Sequence, residues 1–111
     1  MKGQRVMLIR ARPGSAGAVQ ALDTMRRWKR TPGGGLIFFH GPGLGHAAVG
    51  AGSAFAVIAG HGWDLRVCQA GWRRRNAGPP PTPFAPGSLV QFWDVALEAA
   101  ELCSFGDGGD D

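Results

Sequence analysis

Apolar residues cluster in three short stretches of the chain, at residues 5–9, 36–39 and 65–68. Clusters of this length are typical of strands that are buried on both faces of a parallel sheet. A further short apolar stretch at 101–105 predicts a final strand. The segments between these stretches carry apolar residues at helical spacing instead, so strands and helices are expected to alternate.

Three helices are expected between and after these strands. The first, at 16–29, begins after Ser15, whose hydroxyl can cap it. A weak helical pattern covers 52–60, and a third helix opens near Leu89. The apolar residues that define the first and third helices are Val19, Leu22 and Met25, and Leu89, Phe92, Trp93, Ala96 and Leu97.

Alternating strands and helices require crossover connections, which favour a parallel sheet that is covered on both faces. The predicted fold is therefore α/β, a three-layer α/β/α sandwich around a mainly parallel sheet of about five strands. The length of 111 residues fits one domain. We place this domain at 1–106 and expect an acidic, disordered tail at 107–111. The proline-rich segment 79–86 is expected to be a loop or a covering segment.

Basic residues outnumber acidic ones, with 12 Lys and Arg against 8 Asp and Glu. This balance suits either an acidic partner or solubility alone, and no nucleic-acid-binding motif surrounds the arginines, so direct nucleic-acid binding is not expected. No apolar stretch approaches the roughly 18 residues of a membrane span, and no signal peptide is expected. The two cysteines form neither a disulfide framework nor a zinc motif, which predicts a cytoplasmic protein without a metal.

Cys68 is the leading candidate for a functional residue. It ends the third predicted strand and is followed by Gln-Ala-Gly-Trp and then by Arg73, Arg74 and Arg75. Chemistry in parallel sheets collects beyond the carboxyl ends of the strands, and nearby cationic groups favour the reactive thiolate. The alternative is a small buried apolar residue, which is a common role for cysteine.

Two arginines and a histidine are the candidates to support Cys68. His40 follows the second strand, where it would either tune the thiol or cap a turn. Arg73 or Arg74 would stabilise the thiolate, because adjacent helical residues face different ways and cannot all reach it. Cys103 lies in the last apolar stretch, which favours a core position over a resolving partner for Cys68.

The segment 41–45 is rich in glycine, yet it is a weak candidate for a phosphate loop. It lacks the Gly-Lys-Ser/Thr ending of a P-loop, and Pro42 removes a backbone donor. His46 and His61, which flank the weak middle helix, are expected to be surface or packing residues.

Most of the chain resembles the DsrE/DsrF/TusD-like family of sulfur-relay proteins. Ile37-Phe-Phe-His-Gly-Pro-Gly43 is similar to the family's Val-Phe-Phe-Tyr-x-Asp-Gly, and Leu65-Arg-Val-Cys-Gln-Ala-Gly-Trp-Arg-Arg74 to its apolar strand with Val-Cys and Arg-Arg. Gly87-Ser-Leu89 resembles the family's Gly-x-Leu before a helix. Ala100-Glu-Leu-Cys-Ser-Phe-Gly106 resembles its ending Ala-Asp-x-x-x-Phe-Gly. The chain departs from the family where His40 replaces an aromatic residue and Pro42 an acid.

The resemblance implies an α/β/α fold in which Cys68 carries sulfane sulfur as a persulfide. Relatives pass this sulfur from donor to acceptor proteins, in tRNA thiolation or sulfur oxidation, as homo- or hetero-oligomers without a cofactor. The predicted function is a sulfurtransferase with Cys68 as the catalytic residue, supported by His40, Arg73 and Arg74. The alternatives are a non-catalytic interaction subunit and a basic nucleotide- or RNA-binding module.

Overall fold

A mostly parallel β-sheet forms the centre of the molecule. The computed structural model describes residues 4–30, 33–60 and 62–110. The strands within these residues are β1 (Arg5–Ile9), β2 (Gly35–Phe39), β3 (Trp63–Cys68), β4 (Ala85–Gly87), β5 (Glu101–Gly106) and β6 (Gly109–Asp110). The helices are α1 (Ala16–Trp28), α2 (Ala54–Ala59), α3 (Gln69–Arg75) and α4 (Leu89–Ala96), and a 3₁₀ segment covers Gly41–Gly52.

The strand order is β4-β3-β2-β1-β5-β6, and all neighbours among the first five strands are parallel. The first three crossovers each move the chain one strand in the same direction. Because such crossovers are right-handed, they place α1, the 3₁₀ segment with α2, and α3 on one face. The connection from β4 to β5 runs back across the sheet and places α4 on the other face. The predicted α/β/α sandwich is confirmed.

The face under α1, α2 and α3, here called the helix-rich face, holds the larger core. Phe39 of β2 lies at its centre, with its ring 5.2 Å from that of Phe55 and 5.4 Å from that of Phe84. His46 of the 3₁₀ segment is buried beside them and donates from Nε2 to the carbonyl of Ala11 at 2.9 Å. His46 is therefore a packing residue, which was one of the two roles expected for it.

The opposite face, here called the α4 face, is covered by α4. Phe92 and Ala96 of α4 are buried on it, and the ring of Phe92 lies 5.2 Å from that of Phe38. Ser88 and Gln91 form a reciprocal capping box that starts this helix. Beyond α4, the same face of β3 carries a half-exposed ion pair between Asp64 and Arg66 at 2.7 Å.

The edges of the sheet hold the main differences from expectation. The end of the proline-rich segment is not loop but the short edge strand β4, paired with β3. The predicted disordered tail is ordered through Asp110, because β6 pairs with β5 and Asp107 is fixed by two bonds. Its carboxylate accepts from the Arg12 amide at 2.8 Å and forms an ion pair with the Arg12 guanidinium at 2.9 Å. His61 and Asp111 lie outside the described residues.

The predicted helices are found close to their expected bounds. Ser15 caps α1 by accepting from the amide of Ala18, as expected. The middle helix is shorter than predicted, and the glycine-rich segment before it winds into the 3₁₀ segment. None of the helices in the described ranges is both long enough and apolar enough to cross a membrane.

Candidate functional site

Cys68 is the last residue of β3, and the chain leaves β3 and the neighbouring strand β4 toward opposite faces of the sheet. β3 continues into α3 on the helix-rich face, whereas the adjacent β4 continues into α4 on the other face. Cys68 and Gly87, the last residues of these strands, pair across the sheet. Such divergent connections open a crevice beyond the carboxyl ends of parallel strands, which is where α/β proteins bind ligands.

The crevice is a cleft of about 330 Å³ between the first turns of α3 and α4. Cys68 is the residue that precedes α3, and its side chain makes no capping hydrogen bond. Cys68 as a residue is 6% exposed and belongs to the α4-face core, so it borders the cleft without protruding from it. The cleft is lined by Cys68, Gln69, Ala70, Arg73, Gly87, Ser88, Leu89 and Val90.

The register of the parallel strands sets three polar residues side by side. Ile9 is level with Phe39, and Phe39 is level with Val67. The residues that follow, Arg10, His40 and Cys68, therefore stand in one row along the carboxyl edge of the sheet. Because side chains alternate between faces, this row belongs to the α4 face.

The three arginines of α3 have different roles. Arg75 donates to the carbonyl of Gly41 at 2.7 Å and so holds the 3₁₀ segment. Arg73 lines the Cys68 cleft. Arg74 lies close to Gly71. A Cβ atom placed on Gly71 would be 3.9 Å from Nη2 of Arg74 and also 3.9 Å from Sγ of Cys68. Arg73 and Arg74 thus both lie in the surroundings of Cys68, Arg73 along the cleft and Arg74 beside Gly71.

Two effects favour the neutral form of the His40 side chain. Burial lowers the pKa of its imidazole below the usual value, and the guanidinium groups of Arg10, Arg74 and Arg75 lower this pKa further. His40 precedes the 3₁₀ segment without a side-chain capping hydrogen bond, and it follows Phe39, which is level with Val67. Arg10 was not among the residues that the sequence pattern singled out, although its position one residue beyond β1 was an available signal.

Cys103 cannot act as a resolving partner for Cys68 within one chain. It lies on β5, three strands away from β3, which corresponds to about 14 Å. It also packs against the helix-rich core, on the opposite face from Cys68. A disulfide needs Cα atoms within about 7 Å. Cys103 is half-buried rather than fully inside the core, and it borders a shallow hollow with Asp23 and Arg27.

The glycines after β2 serve packing. A Cβ at Gly43 would overlap the carbonyl oxygen of Ile9, so a glycine is required for the 3₁₀ segment to lie against the end of β1. Gly41 has a positive φ of 55°, which glycine adopts without strain. These roles explain the glycine-rich segment without a phosphate ligand.

A second cleft lies on the other flank of α3. It has a volume of about 310 Å³ and shares Gln69 and Arg73 with the Cys68 cleft. Trp72 forms its floor and donates from Nε1 to the carbonyl of Gly78 at 3.1 Å. Its remaining wall is made by Asn76, Pro79, Pro80 and Pro86. The proline-rich segment therefore covers α3 beside the candidate site, which was one of the two roles expected for it.

No protein-family model matches the chain, and no curated protein sequence is significantly similar to it. Among the described residues, no group of three or more His, Cys, Asp or Glu is arranged to hold a metal ion. The chemistry available at the Cys68 cleft is therefore the basis for a functional proposal.

Proposed function

We propose that the protein carries sulfane sulfur as a persulfide on Cys68 and passes it between protein thiols. The observation that carries this proposal is the position of the thiol, at the divergence of β3 and β4 and beside Arg73 and Arg74. A cysteine in an electropositive setting at a cleft suits a nucleophile better than a structural residue. The resemblance to DsrE/DsrF/TusD-like proteins supports the same role.

The transfer needs no oxidant. The Cys68 thiolate attacks the outer sulfur of a donor protein's persulfide, a new S–S bond forms, the donor's S–S bond breaks, and the donor leaves as a thiolate. An acceptor thiolate then attacks the outer sulfur on Cys68 and releases the Cys68 thiolate. One S–S bond forms and one breaks in each step, so oxidation states balance. Rates of such exchange depend on thiolate fraction and access.

The neighbouring residues have roles in this scheme. In this scheme His40, which follows the adjacent strand β2, would accept the proton of the Cys68 thiol. Arg73 and Arg74 stabilise the negative charge on the thiolate and then on the persulfide. Their charge also suits donor and acceptor proteins with acidic surfaces around their reactive thiols. We place this relay in the cytoplasm, where thiols stay reduced, and assign it to tRNA thiolation or sulfur oxidation.

Intact mass spectrometry tests the proposal directly. The full chain is incubated with inorganic polysulfide and desalted before measurement. We expect wild type to gain the mass of one or more sulfur atoms, Cys68→Ser to gain none, and Cys103→Ser to load like wild type. Absence of added sulfur on wild type, or equal loading on Cys68→Ser, would contradict a carrier role for Cys68.

The low exposure of Cys68 favours one second candidate, a non-catalytic interaction subunit in which the thiol only fills the α4-face core. Labelling the native protein with a small maleimide separates the two functions. Modification of Cys68 in the folded protein supports the carrier. A Cys68 that reacts only after denaturation supports the interaction subunit.

A further inference from the structure

α4 carries more apolar surface than the sheet covers. Val90, Trp93 and Leu97 are 73%, 48% and 81% exposed, and Leu89 is also partly exposed. At 3.6 residues per turn, these four residues form one strip along the helix, next to the buried strip that contains Phe92. We call Leu89, Val90, Trp93 and Leu97 the α4 stripe. A contiguous exposed apolar patch marks an interaction surface.

The two ends of the α4 stripe carry opposite charge. At its N-terminal end, Arg73 lines the Cys68 cleft together with Leu89 and Val90. At its C-terminal end lies the exposed acid Glu98, and the exposed acid Asp94 follows Trp93 at its middle. A surface of this kind is complementary to a reversed copy of itself, because the basic end of one copy meets the acidic end of the other.

We propose that a second copy of this chain covers the α4 stripe, with the two α4 helices antiparallel about a two-fold axis near Trp93. Trp93 then packs near its own copy, and Val90 lies opposite the partner subunit's Leu97 in both directions. Such reciprocal contacts are what a two-fold interface requires. Arg73 lies near the partner subunit's Glu98 in this arrangement.

The pairing has a consequence for the candidate site. Leu89 and Val90 form one wall of the Cys68 cleft, so the partner subunit's Leu97 lies at the mouth of that cleft. The dimer therefore contains two Cys68 sites, each narrowed by the other chain. A stable interface buries about 800 Å² per partner. Leu102 of β5 is partly exposed on the α4 face and extends the apolar area beyond the α4 stripe.

The oligomeric state of the full chain tests whether a second copy of the chain covers the α4 stripe. Light scattering coupled to size exclusion is run over a concentration series on wild type, Leu97→Glu and Val57→Glu. Val57 is the matched control, because it is 70% exposed but lies on α2, on the helix-rich face. We expect a dimer for wild type and Val57→Glu, and a dissociation constant raised about thirtyfold or more for Leu97→Glu, as for a central interface residue.

Cysteine cross-linking tests the orientation, in a chain where Cys68 and Cys103 are both replaced by serine. An antiparallel pair predicts that a mixture of Val90→Cys and Leu97→Cys chains forms a mixed disulfide, while Leu97→Cys alone does not cross-link. A charge reversal adds an independent readout: Arg73→Glu weakens the dimer, and adding Glu98→Arg restores it.

Several outcomes would overturn the proposal. These are a monomeric wild type at high concentration, equal weakening by Val57→Glu, or self-cross-linking of Leu97→Cys. A monomeric wild type whose α4 stripe is instead protected by a different protein would also reject the second copy as its occupant. None of these readouts depends on sulfur chemistry, so this proposal and the proposed function can fail independently.

Discussion

The two faces of the sheet are covered very differently. On the helix-rich face, α1, the 3₁₀ segment, α2 and α3 cover an aromatic core around Phe39. On the α4 face, one helix covers only the middle of the sheet, and the outer part shows the Asp64–Arg66 pair and the Cys68 cleft. From this difference we expect stability to be concentrated on the helix-rich face, while the groups that can meet a ligand or partner lie on the α4 face.

The direction of the chain explains this asymmetry. Three successive right-handed crossovers to neighbouring strands put their helices on the same side, and a single return crossover leaves one helix for the other side. The candidate site lies at the ends of β3 and β4. The third of the three crossovers begins at the end of β3, and the return crossover begins at the end of β4.

Truncation of one buried ring on each face gives the largest expected effect. We expect Phe39→Ala to lower the free energy of unfolding by about 4–5 kcal/mol and Phe92→Ala by about 3 kcal/mol, because a cavity beside an open groove relaxes more easily. Phe92 borders such a groove, of about 270 Å³, on the α4 face. Urea unfolding measures both.

Leu97→Ala is the control for this pair, at a concentration where the chain is monomeric, and should change the free energy of unfolding by less than about 0.5 kcal/mol. If Phe92→Ala lowers the free energy of unfolding as much as Phe39→Ala does, the two faces contribute equally to stability, and the proposed difference between them is wrong.

The buried histidine of the helix-rich face should make stability depend on pH. Burial lowers the pKa of His46 below its usual value of 6.5, and the hydrogen bond to Ala11 opposes this shift only in part. The unfolded chain then binds a proton that the folded chain does not, so stability is full above pH 6.5 and falls as pH drops toward the folded pKa. The slope from one such group is at most about 1.4 kcal/mol per pH unit.

Urea unfolding between pH 5 and 8 checks this effect. We expect His46→Gln to flatten the curve, and His40→Gln to change it less, because His40 lies at the more exposed rim. A curve for His46→Gln that falls as steeply as that of wild type would assign the acid sensitivity to other groups.

The smallest expected effect concerns the charge beside Cys68. Iodoacetate and iodoacetamide both alkylate thiolates, but only iodoacetate is an anion, so the ratio of their rates isolates the attraction for negative charge. We expect the double variant Arg73→Gln, Arg74→Gln to lower this ratio at Cys68 about fivefold, which corresponds to about 1 kcal/mol.

Cys103 in the same chain is the internal control, because it lies on the other face and away from these arginines. An unchanged ratio at Cys68, or an equal change at Cys103, would remove Arg73 and Arg74 from the site.

Local features were predictable from the sequence because they depend on near neighbours. Clustered apolar residues defined β1, β2 and β3, the Ser15 cap depended on one hydroxyl, and Cys68 was correctly placed at the end of a strand. The three-residue strand β4 was missed because it contains Pro86 and is stabilised by pairing with β3 rather than by its own apolar spacing. The tail was misjudged because its order depends on Arg12, which is distant in sequence.

The sequence by itself determined the alternation of strands and helices, the α/β class and the identity of the thiol at a strand end. Only the tertiary structure decided what surrounds that thiol: Gly87 and the start of α4 on one side, and the row of Arg10 and His40 on the other. It also decided that the α4 stripe is left uncovered. The physical reason is that strand order and crossover direction come from contacts between distant segments, which the spacing of apolar residues along the chain does not encode.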